Sequence, residues 1–404
     1  MEGIKTDRKK AAVLGVGRMG QTICHALNKL GYYVVGADSS EYGAENFRKQ
    51  IGEEDGVFYL TDQNNADKMI ETVLLHEKPD VVISSLPYHQ TQEIAMWCID
   101  NELRYCDLGG RVDVSREINY YAREKAVKPI FTDLGLAPGW VNILAEKGFY
   151  KLGEAAQVKM MVGGIPQRPS NPPLNYFLTW SPDGLVNEYV DDCEILEQGE
   201  IIKVKGMSQI EPIHVKSKVG NGTEMLEAFC TSGGASHTLE DMKERGVTNC
   251  HYKTLRYKGH RDAVKFLIED CKLSKECLDQ VFKEGCKPKE GDKDVVLIAA
   301  IVDAWPLRSS DWVTVRAEEE EGGFSAMQRA TAYPIACAAS MMGEGMLDPE
   351  ARKRERRDYW DYPENVLTYK DFFVPYNDGS IANDELEKRL KKLGIKSDDE
   401  SYQI

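Results

Sequence analysis

Three glycines, Gly15, Gly17 and Gly20, form the pattern GxGxxG. They sit between the apolar run KKAAVL and a segment in which Ile23, Ala26, Leu27 and Leu30 repeat at helical spacing. That spacing suits a diphosphate. Gly15 permits a tight turn, Gly17 lets backbone approach the phosphates, and Gly20 lets helix and strand pack closely. The N-terminus of the helix then faces the phosphates with free N–H groups and the positive end of its dipole. Asp38 closes the second apolar run, YYVVGA, eighteen residues after Gly20. A carboxylate there accepts ribose hydroxyls and repels a 2′-phosphate, which predicts NAD over NADP. Arg18 and Met19, inside the turn, join the expected cofactor contacts.

Further candidates lie where a doubly wound sheet presents its ligands, beyond the carboxyl ends of the strands. Ser85, Leu86 and Pro87 follow the apolar run VVIS and are expected to line the cofactor, with Tyr88 and His89 as donors to a substrate. Asp107, Leu108 and Gly109 follow a short run at residues 104–106. Leu108 and Gly109 read as cofactor contacts. Asp107 reads as a base, a substrate-amine partner or a turn cap. A third loop, DLGLAPG, carries Asp133, read as an anchor for the glycines, and the substrate-side candidates Gly135, Leu136, Pro138 and Gly139.

These residues need strands and helices in alternation, and up to residue 130 the chain supplies them. Alternation implies right-handed crossovers and a parallel sheet, here a Rossmann domain. After a helix at residues 141–150, VKMMVGG and NYFLTW alternate with period two and are read as strands of a mixed, largely antiparallel sheet. Strands are also expected at residues 225–231, 295–305 and 312–317, and helices at 261–270, 275–284, 324–342 and 383–393. Pro334 should kink or restart the long, small-residue helix at 324–342. The fold class is therefore α/β, divided into a Rossmann domain (1–135), a substrate and dimerisation domain (136–325) and a returning helix with a tail packed on the first domain (326–404).

The 404 residues include 42% hydrophobic residues, enough for a sizeable core. A net charge of −15 opposes binding to nucleic acid or an acidic membrane surface. No apolar run approaches the roughly 18 residues of a spanning helix. The basic start runs directly into the glycine-rich strand, unlike a signal peptide, so a cytoplasmic location is expected. Ten cysteines without a CxxC pair read as reduced thiols, and the spacing of Cys271, Cys277 and Cys286 does not suggest zinc. Residues 318–321 form an acidic run read as a solvated loop.

Several segments carry a family resemblance: GVGRMG, SSLPYH, YCDLGG and DLGLAPGWVNILA, then VGGIPQ, PLNYFLTWSPDGLVNEYV, KTLRYKGH and MQRATAYPIACAA. In this order, over residues 10–345, the chain resembles the saccharopine dehydrogenase-like family, most closely its L-lysine 6-dehydrogenase branch. The resemblance implies a nicotinamide cofactor, a C–N bond of an amino acid as the reacting group, a chain that returns to its Rossmann domain, and a homodimer. By position it implies that Pro87 and Tyr88 line nicotinamide and substrate, that Asp107 and Gly109 form the next loop, and that Leu136 to Gly139 join the domains. It places Arg256, His260, Arg329 and Thr331 on the substrate side. An arginine there suits a two-point bond to a carboxylate; a structural salt bridge is the competing role.

The reaction so implied is oxidative deamination of L-lysine or a related amine. A base, Asp107 or His89, would keep the amine neutral, hydride would leave the adjacent carbon, and water would hydrolyse the imine. The cofactor carries the difficult step and no metal is required. Rival readings are a saccharopine- or carboxynorspermidine-forming condensation, a sugar or inositol dehydrogenase, and an inactive NAD-binding sensor or scaffold. Against the sugar enzyme, Asp107 to Gly110 stand where that family places Glu-Lys-Pro, and Glu77-Lys78-Pro79 precedes the strand.

Overall fold

The structure, a computed structural model, describes residues 7–62, 66–216, 223–316, 323–351, 365–376 and 379–395. Two units divide it: one holds the described residues up to Trp140 and those from Thr331 to Ile395, the other Val141–Ala330.

In the first unit, β1 (Lys10–Leu14), α1 (Arg18–Lys29), β2 (Tyr33–Asp38), α2 (Glu41–Gln50), β3 (Gly56–Leu60), α3 (Ala66–Glu77), β4 (Val81–Ser84), α4 (Tyr88–Asp100), β5 (Tyr105–Asp107), α5 (Val112–Lys125) and β6 (Ile130–Phe131) alternate. All strand pairs are parallel, in the order β3-β2-β1-β4-β5-β6. This is the doubly wound order, with its switch point between β1 and β4. The middle strands are buried on both faces, which is why they read as unbroken apolar runs. The returning chain extends this sheet. Val366 bridges Ile130 in parallel, and the Ile130 N–H donates to the Asn365 carbonyl at 2.8 Å. Backbone that β6 would otherwise leave unpaired at the sheet edge is thereby satisfied.

Helix α6 (Trp140–Leu152) leads into the second unit. There β7 (Gln157–Pro166), α7 (Pro182–Val190), β8 (Cys193–Glu197), β9 (Glu200–Val204), β10 (Glu211–Lys216), β11 (Thr223–Cys230), α8 (Thr238–Glu244), β12 (Asn249–Tyr257), α9 (His260–Lys265), α10 (Lys275–Gly285), β13 (Asp294–Ala304) and β14 (Leu307–Arg316) follow. Eight strands form a mixed sheet, β10-β11-β12-β7-β13-β14, with β8 joined to β12 and β9 to β8. Among the described strands of this sheet, only the β12–β7 pair is parallel. Leu255 and Tyr257 of β12 pack with Met161, Leu226 and Leu297. On the other face, Leu185 and Tyr189 of α7, Phe229, and Leu278 and Phe282 of α10 form a second core. Helix α11 (Ala326–Gly343) passes from the second unit into the first, and α12 (Ala382–Lys392) is the last described element before Ile395.

Several expectations are corrected. NYFLTW is not a strand: its alternation arises because Tyr176, with Leu178 and Trp180 at alternate positions, packs into the α7–α10 core from an irregular segment. Pro334 does not restart its helix: α11 runs through it without interruption. The expected helix at 261–270 is α9 followed by one π-helical turn, Phe266–Asp270. Helices α2, α5, α7 and α8 and strands β3, β8, β9, β10 and β12 are not among the elements expected from the sequence. The acidic run at 318–321 lies outside the described residues, as does most of the charged tail.

Candidate functional site

The glycine turn joins β1 to α1. Gly15 takes φ +82°, and a side chain there would meet the Ser85 carbonyl oxygen at 2.8 Å. At Gly20 an added Cβ would lie 1.9 Å from the Gly15 carbonyl oxygen, whereas above Gly17 nothing lies within 4 Å. Thus Gly15 and Gly20 close the turn on itself and Gly17 leaves open backbone at the start of α1. Asp38 supports this turn from the end of β2. One carboxylate oxygen accepts the Val16 N–H at 2.7 Å, and the other accepts the Ser40 N–H at 2.9 Å and hydroxyl at 2.7 Å. A carboxylate has about four acceptor positions, so a further donor can be accommodated. These features fit a dinucleotide: exposed N–H groups at a helix start for the diphosphate, and a half-exposed acid beyond β2 for the ribose. Arg18 is exposed and Met19 half-buried in the first turn of α1.

The loop after β4 lies against this turn, with the Ser85 N–H donating to the Leu14 carbonyl at 2.8 Å. Leu86 packs on the sheet core and Pro87 caps α4. Tyr88 and His89 are therefore in the first turn of a helix, not in a loop; Tyr88 is half-buried and His89 exposed. The Arg111 guanidinium stands 5.7 Å from the Tyr88 ring centre.

Asp107 is 1% exposed. Its carboxylate accepts N–H groups from Gly109 (2.8 Å) and Asp133 (3.0 Å) and the Tyr105 hydroxyl (3.1 Å). Burial, then the neighbouring Asp133, push its pKa upward. Asp133 itself holds φ +62°, accepts the Ser115 hydroxyl at 2.6 Å, and gives its carbonyl to the Tyr369 hydroxyl. Three buried hydrogen bonds tie Asp107 to the loops of Leu108, Gly109 and Asp133, the arrangement of a cap. The next loop closes tightly. The Trp140 N–H reaches the Gly135 carbonyl at 2.9 Å, and at Gly139, with φ +132°, a side chain would strike Gly135. Leu136 is buried and Pro138 half-buried in this turn.

The second unit has its own polar cluster. Strand alternation turns Arg256 toward α7, where it is 4% exposed. Its Nε donates to the Tyr189 hydroxyl at 2.9 Å and its Nη1 to the Leu255 carbonyl at 3.0 Å, and its guanidinium lies 5.0 Å from the Tyr176 ring centre. The other donors of its fork have no partner among the described residues. His260 is fully buried, with Nδ1 2.7 Å from the Leu174 carbonyl and Nε2 3.0 Å from the Tyr189 hydroxyl. Nδ1 must therefore carry the proton, and Tyr189, receiving from Arg256, donates to Nε2. Burial, then Arg256, hold His260 down at about 3, so it is neutral.

Two family models match the sequence: the saccharopine dehydrogenase NADP binding domain over residues 11–129, and the saccharopine dehydrogenase C-terminal domain over residues 135–356. The chain belongs to the saccharopine dehydrogenase family. It is 24% identical over 282 residues to the mitochondrial alpha-aminoadipic semialdehyde synthase of Rattus norvegicus, a match covering 65% of this chain and 28% of that protein. A match to the Arabidopsis thaliana alpha-aminoadipic semialdehyde synthase is 26% identical over 186 residues, 45% of this chain and 17% of that one. The chain thus spans under a third of these relatives. The fold is that of the saccharopine dehydrogenase (L-Glu forming) of Saccharomyces cerevisiae, with a TM-score of 0.67 at 17% identity, covering 96% of this chain and 98% of the other.

Within this family frame, the first unit brings together Gly15, Gly17, Gly20, Asp38, Ser85 and Leu86, and separately ties Asp107, Gly109 and Gly135 into a loop layer. Arg256 and His260 are joined through Tyr189, so His260 positions Arg256 and is sealed from solvent. Arg329 is 3% exposed and donates to the Arg316 carbonyl at 2.8 Å; Thr331 is half-buried in α11. Tyr176 and Tyr189, missed at the level of sequence, lie in the segment PLNYFLTWSPDGLVNEYV; the signal was two tyrosines in a stretch that carries the family likeness. Among the described residues no group of three or more His, Cys, Asp or Glu could hold a metal ion, and no helix is long and apolar enough to cross a membrane.

Proposed function

We propose that this protein is an NAD-linked oxidoreductase acting on a C–N bond of an amino acid, and that its reaction is oxidative deamination of the side-chain amine of L-lysine or a close relative. The observation that carries this reading is Arg256: a buried guanidinium on an aromatic floor with donors to spare, in a family whose other domain binds a nicotinamide dinucleotide. Such a fork matches a carboxylate in geometry and charge, and burial strengthens the bond. Gly15, Gly17, Gly20, Arg18, Met19 and Asp38 would hold the cofactor, with Ser85, Leu86, Pro87, Leu108 and Gly109 beside it. When bound, the nicotinamide supplies the hydride acceptor.

The chain's own residues then bind, orient and move a proton. Tyr88 and His89, at the exposed start of α4, are the proposed donors and proton acceptors for the reacting amine. Asp107 is assigned to holding the loops of Gly109 and Asp133, which makes His89 the better candidate base. Gly135, Leu136, Pro138 and Gly139 shape the neighbouring turn. The protein is expected to act in the cytoplasm, as a homodimer, on a small-molecule amino acid.

A second reading is reductive condensation, favoured by the names of the relatives, saccharopine dehydrogenase (L-Glu forming) and alpha-aminoadipic semialdehyde synthase. The test is reduced nicotinamide formation with NAD or NADP and a panel of amino acids, lysine first, alongside consumption of NADH with lysine plus 2-oxoglutarate. NADH formation dependent on lysine supports deamination; turnover in the second mixture alone moves the protein to condensation.

A further inference from the structure

We propose that Glu188 and Arg256 form a clamp for the zwitterionic head of a free amino acid, Arg256 taking the α-carboxylate and Glu188 the α-ammonium. The nitrogen that reacts then lies elsewhere on the substrate. This second consequence rests on the C–N oxidoreductase reading; the clamp itself does not.

Glu188 lies in the last turn of α7, next to Tyr189. Leu185, Val186 and Tyr189 bury one face of that helix, and Glu188 on its flank is half-buried. The turn is fixed: the Ser232 N–H donates to the Glu188 carbonyl at 3.1 Å, the Ser232 hydroxyl to the Asn187 carbonyl at 3.2 Å, and Lys275 to the Asn187 side chain at 2.8 Å. The carboxylate has no such support. It makes no hydrogen bond and no ion pair with any described residue, although it is close enough to Arg256, Tyr176, Tyr189 and Tyr252 for its charge to act on all four.

Three circumstances disfavour this charge: partial burial, the absence of donors, and the negative end of the α7 dipole, with no basic residue in the last turn to offset it. Its pKa is pushed up to about 7 by burial, against the pull of Arg256. Arg256 mirrors it, a buried cation with unused donors and no contacting acid. Two opposite charges within electrostatic range that stop short of an ion pair suit a molecule carrying both complements. An α-amino acid head is such a molecule, with carboxylate and ammonium on one carbon. The faces of Tyr176 and Tyr189 provide the wall beneath the guanidinium, and His260 fixes Tyr189 from behind.

The test measures binding by calorimetry, with the protein saturated by NADH so that no turnover occurs. L-lysine is compared with 6-aminohexanoate, which lacks the α-ammonium, and with Nα-acetyl-L-lysine, which neutralises it. The wild type should bind lysine roughly 10- to 100-fold more tightly than either analogue, the range of one lost charge-assisted hydrogen bond. Glu188→Gln should bring lysine down to the level of the analogues while leaving theirs within about two-fold, a non-additive pattern that marks direct contact. The clamp is overturned if lysine does not bind, if the wild type binds 6-aminohexanoate as well as lysine, or if Glu188→Gln weakens all three ligands alike. The wild-type comparison decides even if the variant fails to fold. Turnover is scored separately. The clamp pattern without lysine oxidation would refute the deamination reading alone, and oxidation without the pattern would refute the clamp alone.

Discussion

Cofactor choice turns on Asp38 and on the residue that keeps it in place. A side-chain carbon on Gly43, in the first turn of α2, would lie 2.5 Å from the Asp38 carboxyl carbon, so Gly43 is what lets the acid point where it does. Two unit charges 4 Å apart in water repel by about 1 kcal/mol, and a 2′-phosphate carries close to two, so Asp38 should disfavour NADP by about 2 kcal/mol, roughly 30-fold, at the solvated limit. Loss of a charge-assisted bond to the ribose adds about 1.5–3 kcal/mol for a cofactor that cannot offer its hydroxyl. The expected wild-type ratio of kcat/KM for NAD over NADP is therefore at least about 30-fold. Asp38→Ser should bring it near one, with some loss for both cofactors because the Val16 N–H loses its acceptor. Gly43→Ala keeps the charge but displaces it, and should raise the KM for NAD without creating a preference for NADP. Steady-state kinetics with both cofactors check this. Equal wild-type use of NADP, or a Gly43→Ala variant with unchanged NAD kinetics, would refute the reasoning.

Other predictions follow from the same geometry. Gly20→Ala cannot keep α1 in place, because its Cβ would sit 1.9 Å from the Gly15 oxygen; NADH binding measured by fluorescence should fall at least about tenfold while the second unit's thermal transition is retained. Arg256→Lys keeps charge but loses the fork, and should raise the KM for the amino acid by roughly tenfold or more, with little change in cofactor affinity. On the acid side, lysine affinity should fall below about pH 7 as Glu188 takes a proton, and it should fall again toward pH 9 as the ligand's own α-ammonium loses one. The other groups facing it do not titrate in that range: Arg256 stays charged, His260 stays neutral down to about 3, Tyr176 is raised to about 12, and burial raises Tyr189 and Tyr252 as well. Calorimetry from pH 5 to 9 checks this, and Glu188→Gln should flatten the acid limb of the profile. Glu146 is 3% exposed and pairs with Arg245 through two contacts, so Glu146→Ala should cost about 3–5 kcal/mol in thermal or denaturant unfolding.

Much of the first unit was legible because its signals are local. The glycine turn, Asp38 and the buried runs of β1, β2 and β4 each declare themselves within a few residues, and their order fixes the sheet. Strand β3 was missed since every residue of it is half-buried or exposed, and α5 because its face buries only Ser115, Ile118 and Ala122. NYFLTW deceived for the opposite reason: tertiary packing of Tyr176, Leu178 and Trp180 imitates strand alternation. Pro334 sits in a helix whose neighbours Ala332, Tyr333, Ile335 and Ala336 are all buried, so packing outweighs one missing hydrogen bond. The Arg256 cluster was half legible. The arginine and His260 stand in one short motif, but Tyr189 is 71 residues from His260 and Leu174 is 86, and no local pattern announces such a link. Asp107 shows the limit of reading a strand end: its type and position allow a base, a substrate-amine partner or a cap, and its buried hydrogen bonds are those a cap would make.

The most direct test of the account is the balance of products when the purified protein is given L-lysine and NAD and nothing else. The account predicts that NADH and free ammonia form in equal amounts, with an aldehyde that appears in the same proportion. NADH without ammonia, or no NADH unless an oxo acid or its condensation product is supplied, would contradict it.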